Sequence, residues 1–222
     1  MPTTISRRHA LRAMGLAAST LVTPSLFARQ QQRLTAAEIM GPFYPLQRPL
    51  DDDSDLTRVS GQPGRALGQA FDLRGRIIDT QGRPVGGAMV EMWQANRHGR
   101  YAHKSDPNLT APIDPAFQGF GKQASDHEGR FRFLTIIPGP YPVIEDNKRW
   151  TRTPHIHFDI RGRHDRLVTQ IYFKGQALND TDLLYQALSA QDRDTVTLDL
   201  QPADPGAPAP LFGEWTVVLA SG

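Results

Sequence analysis

The 222-residue sequence contains no cysteine, which excludes disulfide frameworks, thiolate zinc sites and cysteine nucleophiles together. Any metal must therefore rest on His, Asp, Glu or Tyr. Apolar runs are short, and none approaches the roughly 20 residues that a membrane-spanning helix requires. An excess of charge is missing too. The 25 Lys and Arg against 23 Asp and Glu leave a formal charge of +2, and Arg7, Arg8 and Arg12 lie in a first stretch of 28 residues that holds no acid. The remainder is close to neutral, so no nucleic-acid face is expected. What is plentiful is turn chemistry, with 19 glycines and 18 prolines in a chain that is 39% hydrophobic. That combination is too apolar for disorder and favours β structure in one domain with an appendage.

The appendage is legible at the N-terminus. Ser6-Arg7-Arg8-His9-Ala10-Leu11-Arg12 precedes the small and apolar residues Ala13 to Val22, a basic region and short apolar region that resemble a twin-arginine export signal. Residues 1–28 are accordingly expected to direct the protein to the periplasm or the exterior. The competing reading, an amphipathic helix of the folded domain, fits paired arginines before an Ala- and Gly-rich stretch less well.

Residues 29–70 read as an extended, loop-rich segment that packs on the domain formed by 71–222. Within it, Thr35-Ala36-Ala37-Glu38 has capping-box spacing for a short helical turn. Gly41 to Pro45 must be extended or turning, and Asp51 to Asp55 reads as a solvated acidic loop. Beyond residue 70, short strands are expected at Leu73–Ile78, Ala88–Gln94, Arg130–Ile136, His155–Ile160, Leu167–Phe173, Thr195–Leu200 and Glu214–Leu219, with one short helix around Thr181–Leu188. The expected fold is all-β: an antiparallel β-sandwich with long loops and few short helices.

One segment carries chemistry by its alternation. In His155-Ile156-His157-Phe158-Asp159-Ile160 a strand projects both imidazoles to one face while Ile156, Phe158 and Ile160 enter the core. Two such imidazoles can share one metal ion, although the spacing alone serves a solvated face equally well. The remaining histidines lie in the leader or in turn-like sequence.

Wider motifs surround this pair. The stretch from Leu73 through Gly75, Gly82, Pro84, Ala88, Trp93, Asn96 and Gly99 to Tyr101 resembles the signature of the intradiol ring-cleavage dioxygenases. So do Phe117 to Gly121, Pro138 to Pro142, Arg152 to Phe158 and Thr169 to Phe173. The resemblance runs from about Gly41 to the C-terminus. It implies a ferric ion, Fe(III), held by Tyr101, Tyr141, His155 and His157, with catecholic substrates, protocatechuate-like or catechol-like, opened by O2 to cis,cis-muconates. The donor set suits the ion, because ferric iron prefers anionic oxygen and ionises a phenol that coordinates it. The resemblance further implies that Tyr141 leaves the metal to act as a base, that Arg152 stabilises negative charge on the substrate ring, and that Gln170 stands behind the ligands.

Each residue also has a plainer reading. Tyr101 would be an interfacial aromatic, Tyr141 a turn residue, Arg152 part of a surface salt bridge and Gln170 a satisfied strand amide. Within the family the chain is most like the protocatechuate 3,4-dioxygenase β subunit, which implies an oligomer and a related α chain as partner. Two other readings stand beside this one. Gly82 to Ala88 also resembles the turn and strand of transthyretin-like and carboxypeptidase-regulatory sandwiches, non-catalytic modules without the two tyrosines and the histidine pair. A zinc or copper hydrolase built on His155 and His157 would need a further carboxylate or histidine that the sequence does not offer at recognisable spacing.

Overall fold

A computed structural model of the chain describes residues 31–49, 51–145 and 148–221. The export segment expected at 1–28 lies outside the described residues. In chain order the strands are β1 (Ala70–Asp79), β2 (Met89–Trp93), β3 (Phe120–Ala124), β4 (Arg130–Ile136), β5 (Tyr141–Glu145), β6 (Lys148–Arg152), β7 (His155–Arg161) and β8 (Arg166–Phe173). Two short helices follow, α1 (Leu183–Ala187) and α2 (Ala190–Val196), and then β9 (Thr197–Leu198), β10 (Gln201–Pro202) and β11 (Leu211–Leu219).

Period-two alternation builds two facing sheets. Phe71, Leu73 and Ile77 of β1, Phe131 and Phe133 of β4, and Trp215 and Val217 of β11 point inward from a sheet ordered β10-β11-β1-β4. Val90 and Met92 of β2, Ile156, Phe158 and Ile160 of β7, and Ile171 and Phe173 of β8 answer them from a sheet ordered β3-β2-β7-β8-β9. Phe71 meets Phe173 edge-on at 5.6 Å and Phe158 meets Trp215 at 4.9 Å across the core. Gly75 breaks the alternation of β1 for a reason of space: the Phe131 ring lies over it, and a Cβ there would come within 2.0 Å of the ring.

The sandwich is the expected one, but its pairing is mixed. β1 and β11 run parallel from Phe71↔Leu211 to Asp79↔Leu219, as do β8 and β9, while the other pairings are antiparallel. A parallel pair needs a crossover, and here the chain between β1 and β11 supplies it by building the second sheet. Of the expected strands, Thr195–Leu200 shrinks to β9 because α2 occupies its first residues. Strand β3 and the hairpin of β5 and β6, whose polar and proline-containing sequences show no alternation, were not anticipated.

The helical turn expected at Thr35–Glu38 does not form, since tertiary partners take the groups a capping box would use. Thr35 donates its N–H to the Val218 carbonyl and its hydroxyl accepts from Val218 N–H, while Glu38 N–H donates to the Val168 carbonyl. Residues 31–45 thus run as a strap beside β8 and β11. Of the acidic loop, Asp52 pairs with Lys122 at 2.5 Å, and Asp53 and Asp55 cap their own turn.

The outer face of the second sheet carries Glu91, Trp93, His155, His157, Asp159, Gln170 and Tyr172, all buried. Strap, hairpin and the α1 region cover part of this polar face, and the candidate site lies there.

Candidate metal centre

His155 and His157 alternate with core residues of β7 and so stand on the covered face, 4.9 Å apart between ring centres. Each ring is held differently. His155 donates its Nδ1–H to the Thr153 carbonyl at 2.7 Å, which fixes the tautomer and leaves the Nε2 lone pair free to face a partner. His157 stacks on Trp93 at 5.0 Å with ring planes 8° apart, and its buried Nδ1 has no hydrogen-bond partner.

The two tyrosines arrive from loops at the sheet edge. Asn96 ties the first loop: its side-chain oxygen accepts from His98 and Arg100 N–H, and its carbonyl accepts from Gly99 and Gly139 N–H. Gly99 sits at φ +73°, and a Cβ on it would lie 2.2 Å from the Pro140 carbonyl oxygen. Only glycine lets the two loops approach so closely, and the result sets Tyr101 5.5 Å from Tyr141. Asp106 accepts the Tyr101 N–H at 2.6 Å and Phe43 of the strap packs on the ring at 4.5 Å.

All four rings converge. Tyr141 Oη lies 3.3 Å from His155 Nε2, and Tyr101 is centred 6.3 Å from His157. The Tyr101 hydroxyl is buried with no partner, a group that carries a cost unless something binds it. Burial pushes both phenols above their ordinary range, Tyr101 further through Tyr141 beside it. It also pushes both imidazoles well below theirs, assisted by the nearby Arg152 charge. Two neutral imidazoles and two phenols that only a cation would ionise form a donor set for a hard, highly charged metal ion. Among the described residues no three His, Asp or Glu side chains converge, so a metal here needs the phenols, and a zinc or copper site on His155 and His157 gains no third nitrogen or carboxylate.

Arg152 overturns the surface salt-bridge reading. It is buried at 4% exposure, with Nε donating to Asp182 Oδ2 at 2.9 Å and Nη2 to Gln170 Oε1 at 2.7 Å. Burial opposes its charge, but Tyr141, Asp182 and Tyr172 outweigh that and raise its pKa. Gln170 is indeed a satisfied strand amide, since its Nε2 donates to the Ile39 carbonyl. What it satisfies is the arginine.

Sequence reasoning passed over several neighbours. Asp182 caps α1 through Oδ1, accepting from Leu184 and Tyr185 N–H, while Oδ2 holds Arg152 and the Thr153 N–H. The cap was legible in the sequence and the ion pair was not. Tyr172, in register with His155, donates its hydroxyl to Glu38 of the strap at 2.6 Å and lies 3.4 Å from Arg152 Nη2. A cavity of about 470 Å³ opens onto Tyr141, His157 and Arg152, a size usual for small-molecule sites.

A family model described as dioxygenase matches residues 39–217. The chain belongs to this family, the intradiol dioxygenases. It is 43% identical over 160 residues to a protocatechuate 3,4-dioxygenase beta chain of Burkholderia cepacia, covering 71% of this chain and 63% of that one. It is 30% identical over 178 residues to a catechol 1,2-dioxygenase of Candida albicans, covering 75% and 56%. The chain therefore spans less than two thirds of the length of these curated relatives. Among solved structures, the dioxygenase domain of a dioxygenase carbohydrate-binding protein fusion from Streptomyces sp. SirexAA-E aligns with TM-score 0.62 at 25% identity, over 86% of this chain and 100% of that one. Membership of the intradiol dioxygenases does not favour the non-catalytic sandwich reading. No helix among the described residues is long and apolar enough to cross a membrane.

Proposed function

We propose that the protein is a non-haem Fe(III) dioxygenase that opens catecholic rings between their two hydroxyl-bearing carbons with O2, giving cis,cis-muconate products. The observation that carries this reading is the convergence of Tyr101, Tyr141, His155 and His157 at one end of a cavity that also presents a buried, fixed cation, Arg152. These four side chains would hold the ferric ion, which as a hard Lewis acid favours the catecholate form of the substrate and draws electron density from its ring.

The protein's own groups divide the remaining work. Tyr141 lines the cavity and Tyr101 does not, so Tyr141, once ionised by a ferric ion, would be the phenolate placed to accept a proton from an incoming catechol hydroxyl. Arg152 is held in orientation by Asp182 and Gln170, and its positive charge stabilises negative charge that grows on the ring as it is oxygenated. Neutral His155 and His157 are poised as nitrogen donors, the first with its tautomer set by Thr153. The strap packs against His157: Gly41 runs so close that a Cβ on it would lie 3.2 Å from ring carbon Cε1.

The test is oxygen uptake together with ring-opened product, followed by absorbance for a panel of catechols with iron-loaded protein. Ring opening of at least one catechol with stoichiometric O2 consumption is expected. No uptake with any of them contradicts the reading. Assembly with further copies, or with a related α chain, belongs to the same proposal and is supported by the beta-chain relative.

A further inference from the structure

The cavity walls carry information about substrate class that the ring cluster does not. They are mostly apolar, with Ile39 from the strap, Pro107 from the Tyr101 loop, Val143, Ile144 and Trp150 from the hairpin, and Leu184 from α1, and Ser105 of the Tyr101 loop adds one hydroxyl. Among the described residues that line the cavity, Arg152 is the one permanently charged side chain. It lies at the inner end of the hairpin, paired with Tyr141 and away from the outer wall, with Nε held by Asp182 Oδ2 at 2.9 Å and Nη2 by Gln170. Arg149 lies in register with Ile144, but it is exposed and does not line the cavity.

The hairpin register gives these walls a position relative to the chemistry. Tyr141↔Arg152 is the pair nearest the four rings, and Val143↔Trp150 lies two residues further along both strands. At about 3.3 Å per residue, that pair stands roughly 7 Å outward. A catechol whose hydroxyls face the four rings therefore turns the opposite edge of its ring toward Val143 and Trp150.

We propose that this cavity selects catechols whose substituent opposite the hydroxyls is neutral and apolar, and discriminates against catechols that carry a carboxylate there, such as protocatechuate. The inference rests on the ring-opening function proposed above. It sets this chain apart from the activity in the name of its Burkholderia relative. A carboxylate placed between Val143 and Trp150 loses hydration and finds no free cation among the described residues that line the cavity, whereas an alkyl group loses nothing and gains contact.

The experiment compares kcat/KM of the iron-loaded full chain for 4-ethylcatechol and protocatechuate, in wild type and in Val143→Arg, which places a cation on the outer wall. Binding is read separately through quenching, by 4-ethylphenol and 4-hydroxybenzoate, of the part of the tryptophan emission that Trp150→Phe removes; these phenols share the two substituents but lack the second hydroxyl. The proposal expects wild type to favour 4-ethylcatechol by roughly 30-fold or more, and Val143→Arg to narrow that ratio by about tenfold. Equal or better turnover of protocatechuate by wild type overturns the selectivity and leaves the ring-opening function standing. If neither catechol is opened, the ring-opening reading fails and the phenols decide: tighter quenching by 4-ethylphenol upholds an apolar-selective cavity, and equal or weaker quenching overturns it.

Discussion

Arg152 shows how one buried side chain can be mistaken from its neighbours in sequence. Lys148 and Arg149 beside it suggest a solvated loop, yet β6 delivers Arg152 into a closed set of partners, with Asp182, Gln170 and Tyr172 around it. Truncating it leaves the Asp182 carboxylate buried without its counter-charge. Arg152→Ala is therefore expected to lose about 3 kcal/mol of stability as well as turnover, read from the urea midpoint at constant slope. An unchanged midpoint would return Arg152 to a peripheral role. Glu38 offers a second test at this scale. Burial raises its pKa to about 7, against the opposing hydrogen bond from Tyr172. Between the ordinary carboxylate value and 7 the folded chain holds a proton that the unfolded chain has lost, so this group's contribution to stability falls as pH rises through that window. Wild type should lose roughly 2–3 kcal/mol more than Glu38→Gln between pH 4.5 and pH 8 in urea unfolding. Parallel losses in the two proteins would contradict the assignment.

The elements that position the site differ in how far they could be read from sequence. Strand β7 was legible because its alternation is strict, and the same alternation placed His155 and His157 together. The hairpin of β5 and β6 was not, because Pro142 and a run of polar residues hide its pairing, although it supplies both Tyr141 and Arg152. Within the strap, the spacing of Thr35 and Glu38 suggests a helical turn over those four residues alone. Bonds to Val218, Val168 and Tyr172, far away in sequence, decide otherwise. The loop before Tyr101 depends on a backbone contact invisible to any pattern. Gly99→Ala would force a Cβ against the Pro140 carbonyl in a left-handed backbone conformation. A loss of at least about 2 kcal/mol is expected, accompanied by a shifted visible band as Tyr101 moves relative to Tyr141. A variant with wild-type melting and an unaltered spectrum would show that the close approach is not needed.

For the whole molecule, the fold class, the family and the convergence of the four rings were legible in sequence, since apolar alternation and the motif order both survive in linear form. Mixed strand pairing, the burial of the sheet's outer face and the Glu38-Tyr172-Arg152-Asp182 network were not, because each arises from segments that meet only after folding. Export remains a proposal resting on Arg7 and Arg8. Replacing both by lysine should leave the protein in the cytoplasmic fraction, and unchanged export would mean that the segment is read by another route. The central claim, a ferric site built on two phenols and two imidazoles, is tested most directly by the visible spectrum and metal content of the purified, iron-loaded protein. The account predicts one iron per chain and a broad phenolate-to-iron charge-transfer band that shifts in Tyr101→Phe and in Tyr141→Phe. A protein that stays colourless after ferric loading, or that holds stoichiometric zinc instead, would contradict it.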